Sequence, residues 1–280
     1  MTAVPDIPLN TGRTIPQFGF GVFQINPGDT VEAVTAALQA GYRHIDTAQM
    51  YGNEKEVGDA IAKSGLDRGD VFVTSKLGNA NHHPDDARHA FYRSVSALGC
   101  EYIDLFLIHW PLLTRYGGDY VSTWKTLEEF YGDRRARSIG VSNFQPHHLR
   151  RLDAECDVPP AVNQIEVHPY LTQAEVRAYC AERGIAVEAW SPLARGGELL
   201  GEPAIAAIAS RVGKSPAQVV LRWHIERGDI VFPKSVTPSR IRENIDIFDL
   251  ELSAEDVAAI GALNRDARTG PDPDTFDVIG

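Results

Sequence analysis

Short apolar runs alternate with longer amphipathic stretches along the whole chain, and that alternation limits its fold more than any other feature. Eight runs read as strands: 18–22, 43–46, 71–76, 103–109, 138–142, 161–166, 186–190 and 230–233. Helical periodicity follows each, at 29–40, 54–63, 84–98, 120–131, 146–154, 172–183, then 205–212 with 216–227, and finally 238–244. Strands joined through helices run parallel, because each helix carries the chain back to the starting edge of the sheet. Eight such units imply a single (β/α)8 TIM barrel spanning 1–280. An open doubly wound sheet is the competitor, but it ordinarily carries a GxGxxG turn after an early strand. This sequence has none. A β-hairpin turning at Asn10-Thr11-Gly12 precedes the barrel, and 254–263 adds an extra C-terminal helix. Asp29 or Thr30 is expected to cap the first helix, with Val31, Val34, Ala37 and Leu38 sharing one face. The tail after Asn264, rich in Asp, Pro and Gly, is expected to lie over the barrel.

A length of 280 residues suits one α/β barrel. The formal net charge of −11 opposes general binding to nucleic acid or an anionic membrane, since phosphate would be repelled. No apolar run approaches the ~18 residues of a membrane span. Cys100, Cys156 and Cys180 are dispersed and form no CxxC pair, which points to a reduced, cytoplasmic compartment. The N-terminal MTAVPDIPLN shows no apolar signal region. His82-His83 and His147-His148 have no cysteine or carboxylate at ligand spacing, so no metal is expected. The basic run 132–137 reads as a solvated turn at the barrel face opposite the strand ends.

In such a barrel the active site forms where the strands end. The polar residues closing the apolar runs are Asp46, Lys76, His109, Ser142-Asn143, Gln164 with Glu166, Ser191, and Lys234-Ser235. Tyr51 follows Asp46 by five positions. A phenol titrates near 10, and an ammonium within ~4–6 Å favours its phenolate. Lys76 is therefore expected to lower the pKa of Tyr51, with Asp46 as the counter-charge that keeps Lys76 protonated. His109 can donate to a substrate oxygen. The four would titrate together as an oxyanion site with a tunable acid. Glu166 and His168 read as structural supports of the mouth.

Side chains cannot deliver hydride, so such a site needs a nicotinamide. In VFPKSVTPSRIRENI, Lys234, Ser235 and Arg240 surround a helix start with Thr237 as N-cap and Pro238 first. That combination binds anions and suits a 2′-phosphate, hence NADP. Trp190 offers a flat face for the ring, and Ser142, Asn143 and Gln164 offer partners for its carboxamide. Two other classes compete with a reductase: a nucleotide-responsive binding subunit, and a barrel hydrolase or isomerase pairing Asp46 with Glu166. The binding subunit has no use for Tyr51, and the hydrolase leaves Lys234 and Arg240 unexplained.

The segments GYRHIDTAQMYGNE, VTSKL, LIHWP, IGVSNF, AVNQIEVHP, WSPL and PKSVTPSRIRENI resemble, in order, those of aldo-keto reductases. The hairpin and GFGVF fit as well. The similarity is strongest to small bacterial members of the 2,5-diketo-gluconate reductase type. The resemblance implies a monomeric barrel that binds NADPH without a Rossmann domain and reduces a small carbonyl substrate. It implies Tyr51 as general acid with Asp46, Lys76 and His109. It implies Ser142, Asn143 and Gln164 at the carboxamide, Trp190 on the ring, Leu193 near the pyrophosphate, and Ser191 among the cofactor-binding residues. Lys234, Ser235 and Arg240 would hold the 2′-phosphate and Asn244 the adenine, while Phe23 and Trp110 line the pocket. One departure stands out. Many members carry Trp where this chain has Gly78, so the pocket is expected to open on that side.

Overall fold

The computed structural model describes residues 4–279. A two-stranded antiparallel hairpin comes first, β1 (Asp6–Pro8) with β2 (Thr14–Pro16), in register Ile7 to Ile15. Eight parallel strands follow: β3 (Phe20–Gly21), β4 (His44–Asp46), β5 (Phe72–Leu77), β6 (Ile103–Ile108), β7 (Ala136–Ser142), β8 (Val162–Glu166), β9 (Ala186–Trp190) and β10 (Ile230–Val231). Neighbours in the sheet are neighbours in sequence throughout. The ring closes where Phe18 bridges Val231 in parallel, Val231 N donates to Gln17 O at 3.0 Å, and Gly19 N donates to Val231 O at 2.8 Å. Glycine is needed at this seam. A Cβ on Gly21 would lie 2.9 Å from the carbonyl oxygen of Phe232.

Among the described residues ten helices surround the ring: α1 (Pro27–Ala40), α2 (Glu54–Lys63), α3 (Pro84–Ala97), α4 (Tyr120–Gly132), α5 (Pro146–Glu155), α6 (Ala174–Glu182), α7 (Pro203–Val212), α8 (Pro216–Glu226), α9 (Pro238–Ile245) and α10 (Ala254–Gly261). Six of them start on proline. Its fixed φ suits a helix start, and its missing N–H costs nothing there. This corrects the expected start of the first helix. Asn26 is the N-cap and Pro27 the first residue, Asp29 lies in the first turn, and Thr30 Oγ1 donates to Asn26 O at 2.9 Å. Likewise α7 starts at Pro203, two residues before the apolar periodicity. The last strand is two residues shorter than its apolar run, ending at Val231, although Pro233 O still accepts from Gly21 N at 3.3 Å.

The main core lies between strands and helices, with Phe91 stacked 4.1 Å from Phe130 and edge-on to Phe106. The hairpin closes the lower end of the barrel: Leu9 and Ile15 bury against Leu105, Leu107, Val162 and Ile230. Burial of one such side chain contributes about 1.5–3 kcal/mol. With the strand N-termini plugged, only the C-terminal ends remain open. The tail crosses that mouth as expected, with Phe276 4.2 Å from Trp110.

Candidate active site

Three strand ends and one turn assemble the predicted acid. β4 ends on Asp46 and β5 carries Lys76, both buried. Nζ of Lys76 donates to both oxygens of Asp46 at 2.8 Å, to Thr47 O at 3.0 Å and to Tyr51 Oη at 3.3 Å. A short 3₁₀ turn, Gln49–Tyr51, carries the tyrosine and is closed by Gly52 at φ 67. Asn53 ties this turn down, accepting from Thr47 and donating to Val22 O and Ile25 O. His109, just after β6, sets its ring edge-on to Tyr51 at 5.7 Å. Phe23 packs on the other side of Tyr51 at 5.0 Å.

The electrostatics differ from the sequence expectation in one respect. Tyr51 is held above the ordinary phenol range, not below it, because burial outweighs the attraction of Lys76 for the phenolate. Asp46, itself buried and negative, adds to the rise. The phenol is therefore protonated when the site is at rest, and Lys76 stabilises the phenolate only as it forms. Lys76 keeps its proton because Asp46 and Tyr51 together overcome the penalty of burial. His109 is pushed well below the usual imidazole range by burial and by Lys76, so it is neutral.

The amides form a second layer. Asn143 Nδ2 donates to His109 O at 2.9 Å and to Ser142 Oγ at 3.1 Å, while its Oδ1 accepts from Trp190 Nε1 at 2.8 Å. Asn143 sits at φ 66 and Ser191 at φ 50, left-handed backbone that clusters at functional sites. Gln164 Nε2 donates to Asp46 Oδ2 at 2.8 Å and to Glu188 Oε2 at 2.7 Å. No described residue donates to Oε1 of Gln164. A nicotinamide fits what is left over: a half-buried indole fixed through its N–H, and an amide oxygen without a donor among the described residues. At the far end of the mouth Thr237 caps α9 and Pro238 opens it, as expected. Ser235 is buried there and Asn244 lies on the helix, whereas Lys234 and Arg240 are exposed. Nearby ion pairing is done by Lys214, with Asp246 and Asp249. Leu193 lies partly buried between the main core and a second one.

The pocket wall is built differently from the sequence reading. Gly78 is buried, and its N–H donates to Gln49 Oε1 at 2.6 Å. A Cβ there would meet Gln49 and Asn81 at 3.1 Å, so the side expected to open is closed by those two side chains. The tail adds to the closure, since Asn79 Nδ2 donates to Val278 O at 2.7 Å. Glu166 has the supporting role expected of it: it lies 3.0 Å from His168 Nε2, and its other partners lie in the tail. It accepts from Thr269 N and Oγ1, both at 2.6 Å, and from Gly270 N. Gly270 passes so close to Trp190 that a Cβ would lie 2.3 Å from the ring.

His147, His148 and Asp274 are the one group with metal-ligand spacing among the described residues. Nδ1 of His148 accepts from Gln145 N at 2.9 Å, so the neutral ring carries its proton on Nε2, the atom 3.2 Å from Asp274. A protonated nitrogen has no lone pair for a metal. The sequence reading missed Glu188, Gln49 and Phe276. Glu188 could have been found as an acid inside an otherwise apolar strand; the other two carry no local signal.

The aldo/keto reductase family model matches residues 17–265. An aldo-keto reductase of Mycolicibacterium smegmatis is 52% identical, over 99% of each chain. The glyoxal reductase of Bacillus subtilis is 48% identical, over 96% of each chain. Among solved structures, a Bombyx mori aldo-keto reductase in complex with NADP superposes with a TM-score of 0.91 at 39% identity, covering 98% of this chain and 97% of that one.

Proposed function

The chain belongs to the aldo/keto reductase family, and on that premise we propose that it reduces aldehydes, ketones or dicarbonyls with NADPH, with Tyr51 as the general acid. One observation carries the reading: the phenol of Tyr51 lies 3.3 Å from an ammonium that is itself bidentate on a buried carboxylate. When bound, the nicotinamide supplies the hydride to the carbonyl carbon. Tyr51 passes its proton to the carbonyl oxygen, and Lys76 stabilises the phenolate left behind. Neutral His109 donates to the same oxygen and orients it. In the reverse direction Tyr51 is the base.

The cofactor is held by this chain's own side chains. Ser142, Asn143 and Gln164 meet the carboxamide, and Trp190 stacks on the ring. Ser191 and Leu193 lie along the pyrophosphate, Asn244 at the adenine, and Lys234, Ser235 and Arg240 at the 2′-phosphate. Phe23, Trp110 and the Gly78 segment line the substrate pocket. That a similar protein is named glyoxal reductase supports small dicarbonyls as substrates. We also place the protein in the cytoplasm as a monomer, a reading supported by three free cysteines and the net charge of −11. Among the described residues no helix is long and apolar enough to cross a membrane.

The test is Tyr51→Phe, assayed by NADPH oxidation against a panel of aldehydes and dicarbonyls. Turnover should be abolished while NADPH still quenches protein fluorescence. Full activity in the variant would overturn the assignment.

A further inference from the structure

Glu188 is a buried acid that the chemistry above does not use. Glu188 lies on β9 and points into the barrel, fully buried. Its Oε2 accepts from Gln164 Nε2 at 2.7 Å, and Asp46 Oδ2 accepts from the same nitrogen at 2.8 Å. A primary amide nitrogen carries two protons, so both are committed. The geometry also fixes which end of the amide this is. Asp46 is paired with Lys76, and an amide oxygen in that place would face the Asp46 carboxylate with no proton between them.

We propose that Glu188 is a positioning residue for cofactor recognition: with Asp46 it holds both amide protons of Gln164, so that Oε1 is presented as a pure acceptor for the N–H of a nicotinamide carboxamide. This rests on the reading of the site as a nicotinamide site.

The groups facing Glu188 are consistent with a neutral clamp. Lys76 is already neutralised by Asp46, and His44 lies 3.8 Å from Oε1 without a hydrogen bond. Burial and the charge of Asp46 push Glu188 up to about 8. Burial thus favours the neutral carboxylic acid, one oxygen of which accepts from Gln164. A glutamine would reproduce that acceptor with the same shape.

The experiment measures dissociation constants by fluorescence quenching for two dinucleotides, NADPH and its reduced 3-acetylpyridine analogue. In the analogue a methyl group replaces the carboxamide nitrogen, so only the N–H is lost. Wild type should favour NADPH by about threefold to tenfold, the range of one neutral hydrogen bond. In Glu188→Leu one amide proton of Gln164 is freed to donate to the acetyl oxygen, and the preference should collapse. Glu188→Gln should restore it. A role in stability alone would move both dissociation constants together and leave their ratio unchanged. An unchanged ratio in a folded Glu188→Leu protein overturns the proposal, as does equal loss in Glu188→Gln. If Glu188→Leu does not fold, Glu188→Ser, too short to reach Gln164, is read the same way. Wild type that binds neither dinucleotide would instead overturn the cofactor reading itself.

Discussion

Lys76 is fully buried and has one compensating charge. Removing either partner leaves the other stranded in a medium that solvates it poorly. Lys76→Met should therefore destabilise the protein by about 3–5 kcal/mol in urea unfolding. The double variant Lys76→Met with Asp46→Asn should recover most of that stability and none of the turnover. Recovered turnover would contradict the role given to Lys76. The residue types at this site were legible in the sequence, because each closes an apolar run or follows one closely. The sign of the Tyr51 shift was not. It depends on how far burial opposes an ammonium, and a sequence carries no measure of burial.

α9 and the tail each make a prediction at the level of an element. The exposed guanidinium of Arg240 on α9 is proposed to meet a phosphate that NADPH has and NADH lacks. Arg240→Ala should weaken NADPH about tenfold or more, as expected for a charge-assisted bond. Binding of NADH should barely change, and equal losses would contradict the 2′-phosphate site. In the tail, Gly270→Val places a branched carbon against Trp190 and Glu166. The strap should lift, with faster proteolysis beyond residue 265 and a shifted Trp190 emission. A variant as resistant to proteolysis as wild type would show that the strap is not held there. Most helices and strands were legible as periodicity. Their ends were less so: α1 and α7 begin on prolines that precede the apolar pattern, and β10 stops two residues before its apolar run does.

Two predictions concern the molecule as a whole. Ile15 is fully buried in the plug at the bottom of the barrel, away from the chemistry. Ile15→Ala should cost about 2–5 kcal/mol in denaturant unfolding and leave kcat unchanged. A fall in kcat would mean that the plug sets the geometry of the mouth. The second concerns pH. Burial lowers His44 to about 3 and His82 to about 4. An unfolded histidine titrates near 6.5, so below that pH the unfolded chain takes up protons that the native one refuses. This contribution is whole above about pH 6.5 and is lost as the pH falls, by up to about 1.4 kcal/mol per unit for each ring. Glu188 acts in the opposite sense, because its folded value of about 8 lies above the unfolded one. It costs stability as the pH rises toward 8, so Glu188→Gln should gain on wild type between pH 5 and 8. Unfolding curves across that range check both signs.

The sequence by itself determined the barrel, the grouping of Asp46, Tyr51, Lys76 and His109, and the start of α9 at Thr237-Pro238. Those follow from patterns of period and position, which are local. Only the tertiary structure decided what lies beside Gly78, which tail residues Glu166 holds, and that Glu188 shares an amide with Asp46. Glu188 and Asp46 lie on β9 and β4, strands apart in both sequence and sheet order. They meet because a closed ring turns inward-facing residues of distant strands toward one axis. No periodicity in a linear chain records which residues meet across that axis.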